Sequence, residues 1–253
     1  MTWNIKKISN PAIKNPILIE GLPGVGNVGK IAIDFLIDNL KAKKLCELHS
    51  YSLPHCVFVN EENLVELPSI EVFYKNYKDR TLLLLSGDIQ PIDEPSCYEF
   101  CDNILDLVQN YKGKKEIITL GGIAIEKDPK KPKVYCTANQ QTIRKKYAGR
   151  ILKNNTYGKI GPIVGVSGLL VGLAGKRSIP ALALLAETYG HPNHLGINSA
   201  KEILGVLNDK LKLKLKLSGL DAELIETEEE PKQKKLIKSL KKQGREKNFD
   251  YIG

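Results

Sequence analysis

Gly24-x-Gly26-x-x-Gly29-Lys30 is the stretch of this chain whose residue types and spacing come nearest to binding chemistry. It follows the apolar run Pro16-Ile17-Leu18-Ile19-Glu20 and opens into an apolar segment, Ile31 to Leu40. A strand, a glycine loop and a helix in that order can offer backbone amides to an anion. Two nucleotide motifs nearly fit. The glycine spacing matches a dinucleotide fingerprint, with Glu47 about 20 residues on, where a ribose-binding acid would end the next strand. Gly24 to Lys30 also matches most of a P-loop, but that loop needs Ser or Thr next to bring a hydroxyl to magnesium, and the residue is Ile31. The plainer reading is that these glycines permit a sharp turn and close helix-to-strand packing. A nucleotide- or nucleoside-binding protein using Gly24 to Lys30 is the alternative to the main functional reading.

Other reactive groups form weaker patterns. Gly165-x-Ser167-x-Leu169 approaches a hydrolase nucleophile elbow and lacks its second glycine. A serine nucleophile also needs a histidine and an acid, for which His191 or His194 would have to serve. His191-Pro192-Asn193-His194 could give two metal ligands, but the cysteines show no zinc-site pairing with them. Cys97 and Cys101 stand one helical turn apart and read as a reduced, mostly buried pair. Glu187-Thr188 ends a continuous apolar run, a position where α/β folds often place functional groups. No catalytic constellation, metal set or cofactor motif is complete.

The bulk composition narrows the field. The chain has 253 residues, 42% hydrophobic and 26% charged, with a net charge of +9. That length suits one large domain with appendages. Five cysteines at irregular spacing argue for reduced thiols in a cytoplasm, and no apolar run reaches membrane-spanning length. The positive surplus falls largely in Lys210 to Lys216 and near the C-terminus, with few aromatics between the charges, which argues against nucleic acid as partner.

Periodicity then supplies the elements. Strands are expected at 16–20, 45–51, 81–88, 116–120, 133–138 and 181–188. A hairpin is expected from Cys56-Val57-Phe58-Val59 and Leu64-Val65-Glu66-Leu67 around a four-residue polar loop. Ile70 to Tyr74 reads as an edge or hairpin strand beside that hairpin. Ile163 to Gly168 reads as a further strand turning into a helix. Helices are expected over 31–40, 95–111, 140–147 and 199–211. Residues 210–217 alternate Lys and Leu strictly, so their second half reads as extended, and Ser218 can cap a following helix. Strands alternating with helices indicate an α/β sandwich around a mixed central sheet. Residues 1–217 form the expected body and 218–253 a charged helical or flexible tail.

In order along the chain, several segments resemble the PAC2 family of proteasome assembly chaperones, its archaeal members in particular. They are Glu20 to Gly29, Leu84-Leu85-Ser86-Gly87-Asp88-Ile89-Gln90-Pro91, Thr119 to Gly122, Val134 to Ala138, Gly165 to Gly172, and Glu187-Thr188. The resemblance spans roughly residues 15 to 217 and implies a fold similar to that of purine nucleoside phosphorylase, without catalysis. It further implies an ATP-independent, homo-oligomeric chaperone or activator that contacts the α subunits of the 20S proteasome, with a second assembly factor as a further partner. Related proteins insert a C-terminal hydrophobic-Tyr-any tripeptide between α subunits. Here the end reads Phe249-Asp250-Tyr251-Ile252-Gly253, with the tyrosine third from the end rather than penultimate. Those five residues are the expected partner-binding site, with Phe249 or Ile252 as apolar anchor.

Overall fold

The computed structural model describes residues 3–60, 62–149, 152–153, 160–218 and 220. Its strands are β1 (Trp3–Lys7), β2 (Pro16–Glu20), β3 (Lys43–Ser50), β4 (Phe58–Val59), β5 (Val65–Glu66), β6 (Ile70–Tyr77), β7 (Arg80–Gly87), β8 (Glu116–Ile125), β9 (Val134–Ala138), β10 (Leu152–Lys153) and β11 (Ala181–Tyr189). Its helices are α1 (Val28–Asn39), α2 (Glu94–Gln109), α3 (Gln141–Tyr147), α4 (Val166–Lys176) and α5 (Ile197–Leu211).

One nine-stranded sheet runs in the order β1-β3-β6-β7-β2-β8-β11-β9-β10. The centre is parallel: β2 pairs with both β7 and β8, and β8 with β11. Antiparallel pairing extends it on one side through β6, β3 and β1, and on the other through β9. The fold is therefore the expected α/β sandwich around a mixed sheet. The four central strands are apolar on both faces because both faces are covered. Ile17, Ile19, Leu82, Leu84, Ile118 and Leu120 pack against α1, α3 and α5. Leu18, Leu83, Leu85 and Ile117 face α2 and α4 instead.

Local chemistry sets the helix boundaries. Asp93 caps α2, its Oδ1 accepting from the Ser96 amide at 2.9 Å, with Pro95 in the first turn. Cys97, Phe100, Cys101, Ile104, Leu105 and Val108 then form its buried stripe. Asn139 ties the end of β9 to the start of β11, donating to the Ile179 carbonyl at 2.9 Å and accepting from the Ala181 amide at 2.9 Å. After α5 the chain leaves helical geometry at Lys212, whose φ is +57°, and Leu213 to Lys216 are non-helical but form no extended strand, since Lys214 is left-handed too at φ +60°. Leu213 and Leu220 are buried on the α1/α5 face.

Two expectations are corrected. Ile163 to Gly168 is not a strand: α4 begins at Val166, and Gly165 before it has φ +83°. β8 and β11 hydrogen-bond each other directly, so the sheet has no lane between them for this segment to enter. Ile70 to Tyr74 takes the hairpin alternative of its edge-or-hairpin reading, since β6 turns back into β7 with Tyr77 opposite Arg80, but it does not run beside the 56–67 hairpin. β6 lies inside the sheet between β3 and β7, while β4 and β5 form a separate two-stranded sheet.

Candidate functional site

The strand order places the loops after β2, β7 and β8 and the start of α4 at one end of the sheet, the carboxyl end of its parallel strands. The β3–β6 connection, which holds the β4–β5 hairpin, reaches the same end, because Leu48 of β3 pairs with Ile70 and Ile70 with Gly87. In open α/β sheets this is the end where ligands and partners are engaged.

The glycine loop sits at the middle of that end, and its glycines pack against their own chain. A Cβ on Gly29 would lie 2.5 Å from the Leu120 carbonyl oxygen, and one on Gly21 would lie 2.3 Å from that of Gly29. Gly26 has φ +61°, and a Cβ there would meet the Thr188 hydroxyl at 2.7 Å. Gly122 and Gly196 close on the same threonine. Thr188 is thus clasped by three glycines, from the β2–α1 loop, strand β8 and the β11–α5 loop, and its buried hydroxyl has no hydrogen-bond partner among the described residues. Only Gly24 of this loop faces open space.

The motif partners are committed elsewhere. Lys30 pairs with Asp34 one turn later in α1, and its ammonium lies 3.3 Å from Ser86 Oγ, which itself donates to Asp34 at 2.7 Å. This lysine bonds α1 to β7 instead of reaching over the loop. Glu47 does not follow the glycine loop as a ribose acid would. It lies within an antiparallel strand separated from β2 by β6 and β7, where Lys44 holds it 2.9 Å away. Lys44, foremost by hydrogen bonding, keeps the Glu47 carboxyl below its ordinary range.

Beneath the loop lies a group that sequence reasoning did not single out chemically. Glu20 is fully buried at the last position of β2. Its Oε1 accepts from the Leu22 amide and its Oε2 from the Ser167 hydroxyl, each at 2.9 Å. Burial drives its pKa up to about 7, opposed by those two donors. Gln90 makes a second brace, donating to the Pro23 carbonyl at 2.7 Å and accepting from the Val166 amide at 3.3 Å. Glu20 and Gln90 therefore tie the glycine loop to the first turn of α4. The available signal was an acid closing an otherwise apolar run, a buried carboxyl in the making.

The remaining candidates have structural partners. Ser167 is half-buried and donates its hydroxyl to Glu20 at 2.9 Å. His191 stacks on Tyr189 with ring centroids 5.7 Å apart, and His194 meets the same ring edge-on and lies 3.4 Å from Asp128. No group of three metal-ligating side chains occurs among the described residues. Glu187 accepts from the Tyr135 hydroxyl at 2.9 Å and the Lys133 amide at 3.1 Å, closing the β8–β9 loop onto β11. Cys97 and Cys101 are buried thiols of α2. Phe249, Asp250, Tyr251, Ile252 and Gly253 lie outside the described residues.

What this end of the molecule does present is apolar surface. Leu64, Val65 and Leu67 of the hairpin region, Tyr51 before it, Ile92 after β7 and Val164 before α4 are all more than half exposed. No helix among the described residues is long and apolar enough to cross a membrane.

A mixed sheet between two helical layers, with its carboxyl-end loops closed by glycine packing and rimmed with apolar side chains, defines a three-layer α/β protein. The PAC2 family profile matches residues 18–234, and the chain belongs to that family. An uncharacterized protein of Methanocaldococcus jannaschii, MJ1210, is 31% identical over 204 residues, covering 81% of this chain and 76% of that protein. Among solved structures, Pyrococcus furiosus PbaB, an archaeal proteasome activator, superposes with a TM-score of 0.82 at 33% identity, over 90% of this chain and 97% of its own. Pyrococcus furiosus PbaA, an archaeal homolog of proteasome-assembly chaperone, shares the fold with a TM-score of 0.74 at 24% identity, over 96% of this chain and 97% of its own.

Proposed function

We propose that this protein is an ATP-independent proteasome-binding factor, a chaperone or activator that assembles into a homo-oligomer and contacts the α-ring of the 20S proteasome without catalysing a reaction. The observation that carries this reading is the similarity to PbaB over nearly the whole of both chains, at an identity above that of a shared fold alone. The internal chemistry fits it: the P-loop-like lysine, the serine and the histidines all serve packing or pairing within the chain. In this reading residues 1–217 are the body, and the end of the 218–253 segment is the docking peptide, with Phe249 or Ile252 supplying the apolar anchor beside Tyr251. Several such ends on one oligomer make weak single contacts effective through local concentration. The proposed compartment is the cytoplasm, where the proteasome is met.

Native mass spectrometry of the full chain with 20S proteasome, and separately with unassembled α subunits, tests this directly. Binding that weakens in a chain ending at Asn248 is the expected result. Equal binding by both chains would move the contact to the body, and no complex with either proteasome species would overturn the reading.

A further inference from the structure

We propose that the apolar rim at the carboxyl end of the sheet is where copies of this chain meet, face to face, with the hairpin side of one copy against the Lys127–Lys133 loop of the other. The proposal rests on the homo-oligomeric reading above and gives it a surface.

Three observations converge on it. The first is the hairpin itself. β4 and β5 form a two-stranded sheet outside the main one, anchored by the buried Phe58, while Val65 and Leu67 stand 68% and 73% exposed. A two-stranded hairpin is marginal in water by itself. The second is extent. With Tyr51, Leu64, Ile92 (77%) and Val164 (87%), six apolar side chains stand exposed across this end.

The third is charge. The chain carries +9 overall, yet residues 51–69 hold Glu61, Glu62 and Glu66 with no Lys or Arg, and residues 88–99 hold Asp88, Asp93, Glu94 and Glu99 with none. Both segments lie on the hairpin and β7 side of the rim. On its far side, at the same end of the sheet, the loop joining β8 to β9 carries Lys127, Lys130, Lys131 and Lys133 against Glu126 and Asp128. A rim that is acidic and apolar on its hairpin side and rich in lysine on its far side is self-complementary in charge across a two-fold axis, since each side meets its opposite.

Sedimentation and native mass spectrometry of the full-length protein test the proposal across a dilution series. Leu67→Gln with Ile92→Gln should raise the dissociation constant by about tenfold or more, as loss of central apolar contacts does. Both positions are exposed, and an unchanged circular dichroism melt confirms the fold. Glu62→Lys with Glu66→Lys should weaken assembly, as should Lys130→Glu with Lys131→Glu, and the four changes combined should restore it. A wild-type chain that is monomeric at all concentrations would overturn both the homo-oligomeric reading and this interface. An oligomer unaffected by the rim variants would overturn the interface alone, as would rim variants that lose proteasome binding while staying oligomeric. Weakening by each charge pair without restoration in the combination would overturn the face-to-face arrangement.

Discussion

Glu20 enters the core as a carboxyl whose neutral form the fold prefers. The unfolded chain releases this proton near pH 4.5, whereas the folded chain holds it to about pH 7. The stabilisation from keeping it is therefore complete below pH 4.5, declines as pH rises through 7, and is flat above. The full span is about 3 kcal/mol. Urea unfolding at pH 5 and pH 8 should show the wild type losing stability of that order, and Glu20→Gln losing distinctly less. An equal loss in the variant would assign the titration to other groups. Two glycines give a contrasting pair. Gly29→Ala forces a methyl onto the Leu120 carbonyl and should cost about 2 kcal/mol or more, because backbone in a core strand cannot yield. Gly172, mid-helix in α4 with nothing within 4 Å of a Cβ, should tolerate alanine and gain about 0.5–1 kcal/mol in the same measurement.

At the scale of elements, α1 is fastened to β7 through Lys30, Asp34 and Ser86. The first two side chains are only 14% and 12% exposed. Asp34→Ala leaves the Lys30 ammonium half-buried without its carboxylate and should destabilise the chain by about 1–3 kcal/mol in urea titration. Because the same lysine is the one a P-loop would need, ATP and NAD should leave the melting temperature unchanged. A rise with either ligand would return the glycine loop to nucleotide chemistry. Elements whose character is written in their own residues were legible in the sequence: the apolar runs of β2, β7 and β11, and the helical stripe of α2 with Pro95 in its first turn. Ile163 to Gly168 was misread, and Ile70 to Tyr74 was given the wrong neighbour, because lanes in a sheet are assigned by distant partners. An apolar pentapeptide does not disclose whether β8 has already taken β11 beside it. Glu47 misled for the same reason, since its spacing from the loop held while its strand lay three lanes away from β2. Glu20 and the rim needed the fold, which decides that one acid is sealed inside and that a hairpin of valines and leucines is left outside.

For the whole molecule, the apolar rim and the C-terminal peptide are proposed for different work, and binding should divide accordingly. Deleting residues 249–253 should weaken proteasome binding while leaving the copy number of the assembly intact, as read by native mass spectrometry. Rim substitutions should do the reverse at first order, lowering copy number and weakening proteasome binding only through lost multivalency. Salt offers an independent check on the flanks. If acids meet lysines across the interface, raising ionic strength should slow association more than it speeds dissociation.

The position of β2 also carries a consequence for how the chain is made. This strand emerges early, yet its neighbours in the sheet are β7 and β8, supplied by residues 80–87 and 116–125. β8 in turn waits for β11, which ends at Tyr189. On the ribosome, a mostly apolar segment that ends in Glu20 thus leaves the exit tunnel about a hundred residues before both its hydrogen-bonding partners are available, and the sheet cannot close until about three quarters of the chain has been synthesised. During that interval Leu18 and Ile19, both fully buried in the finished protein, are a liability left uncovered.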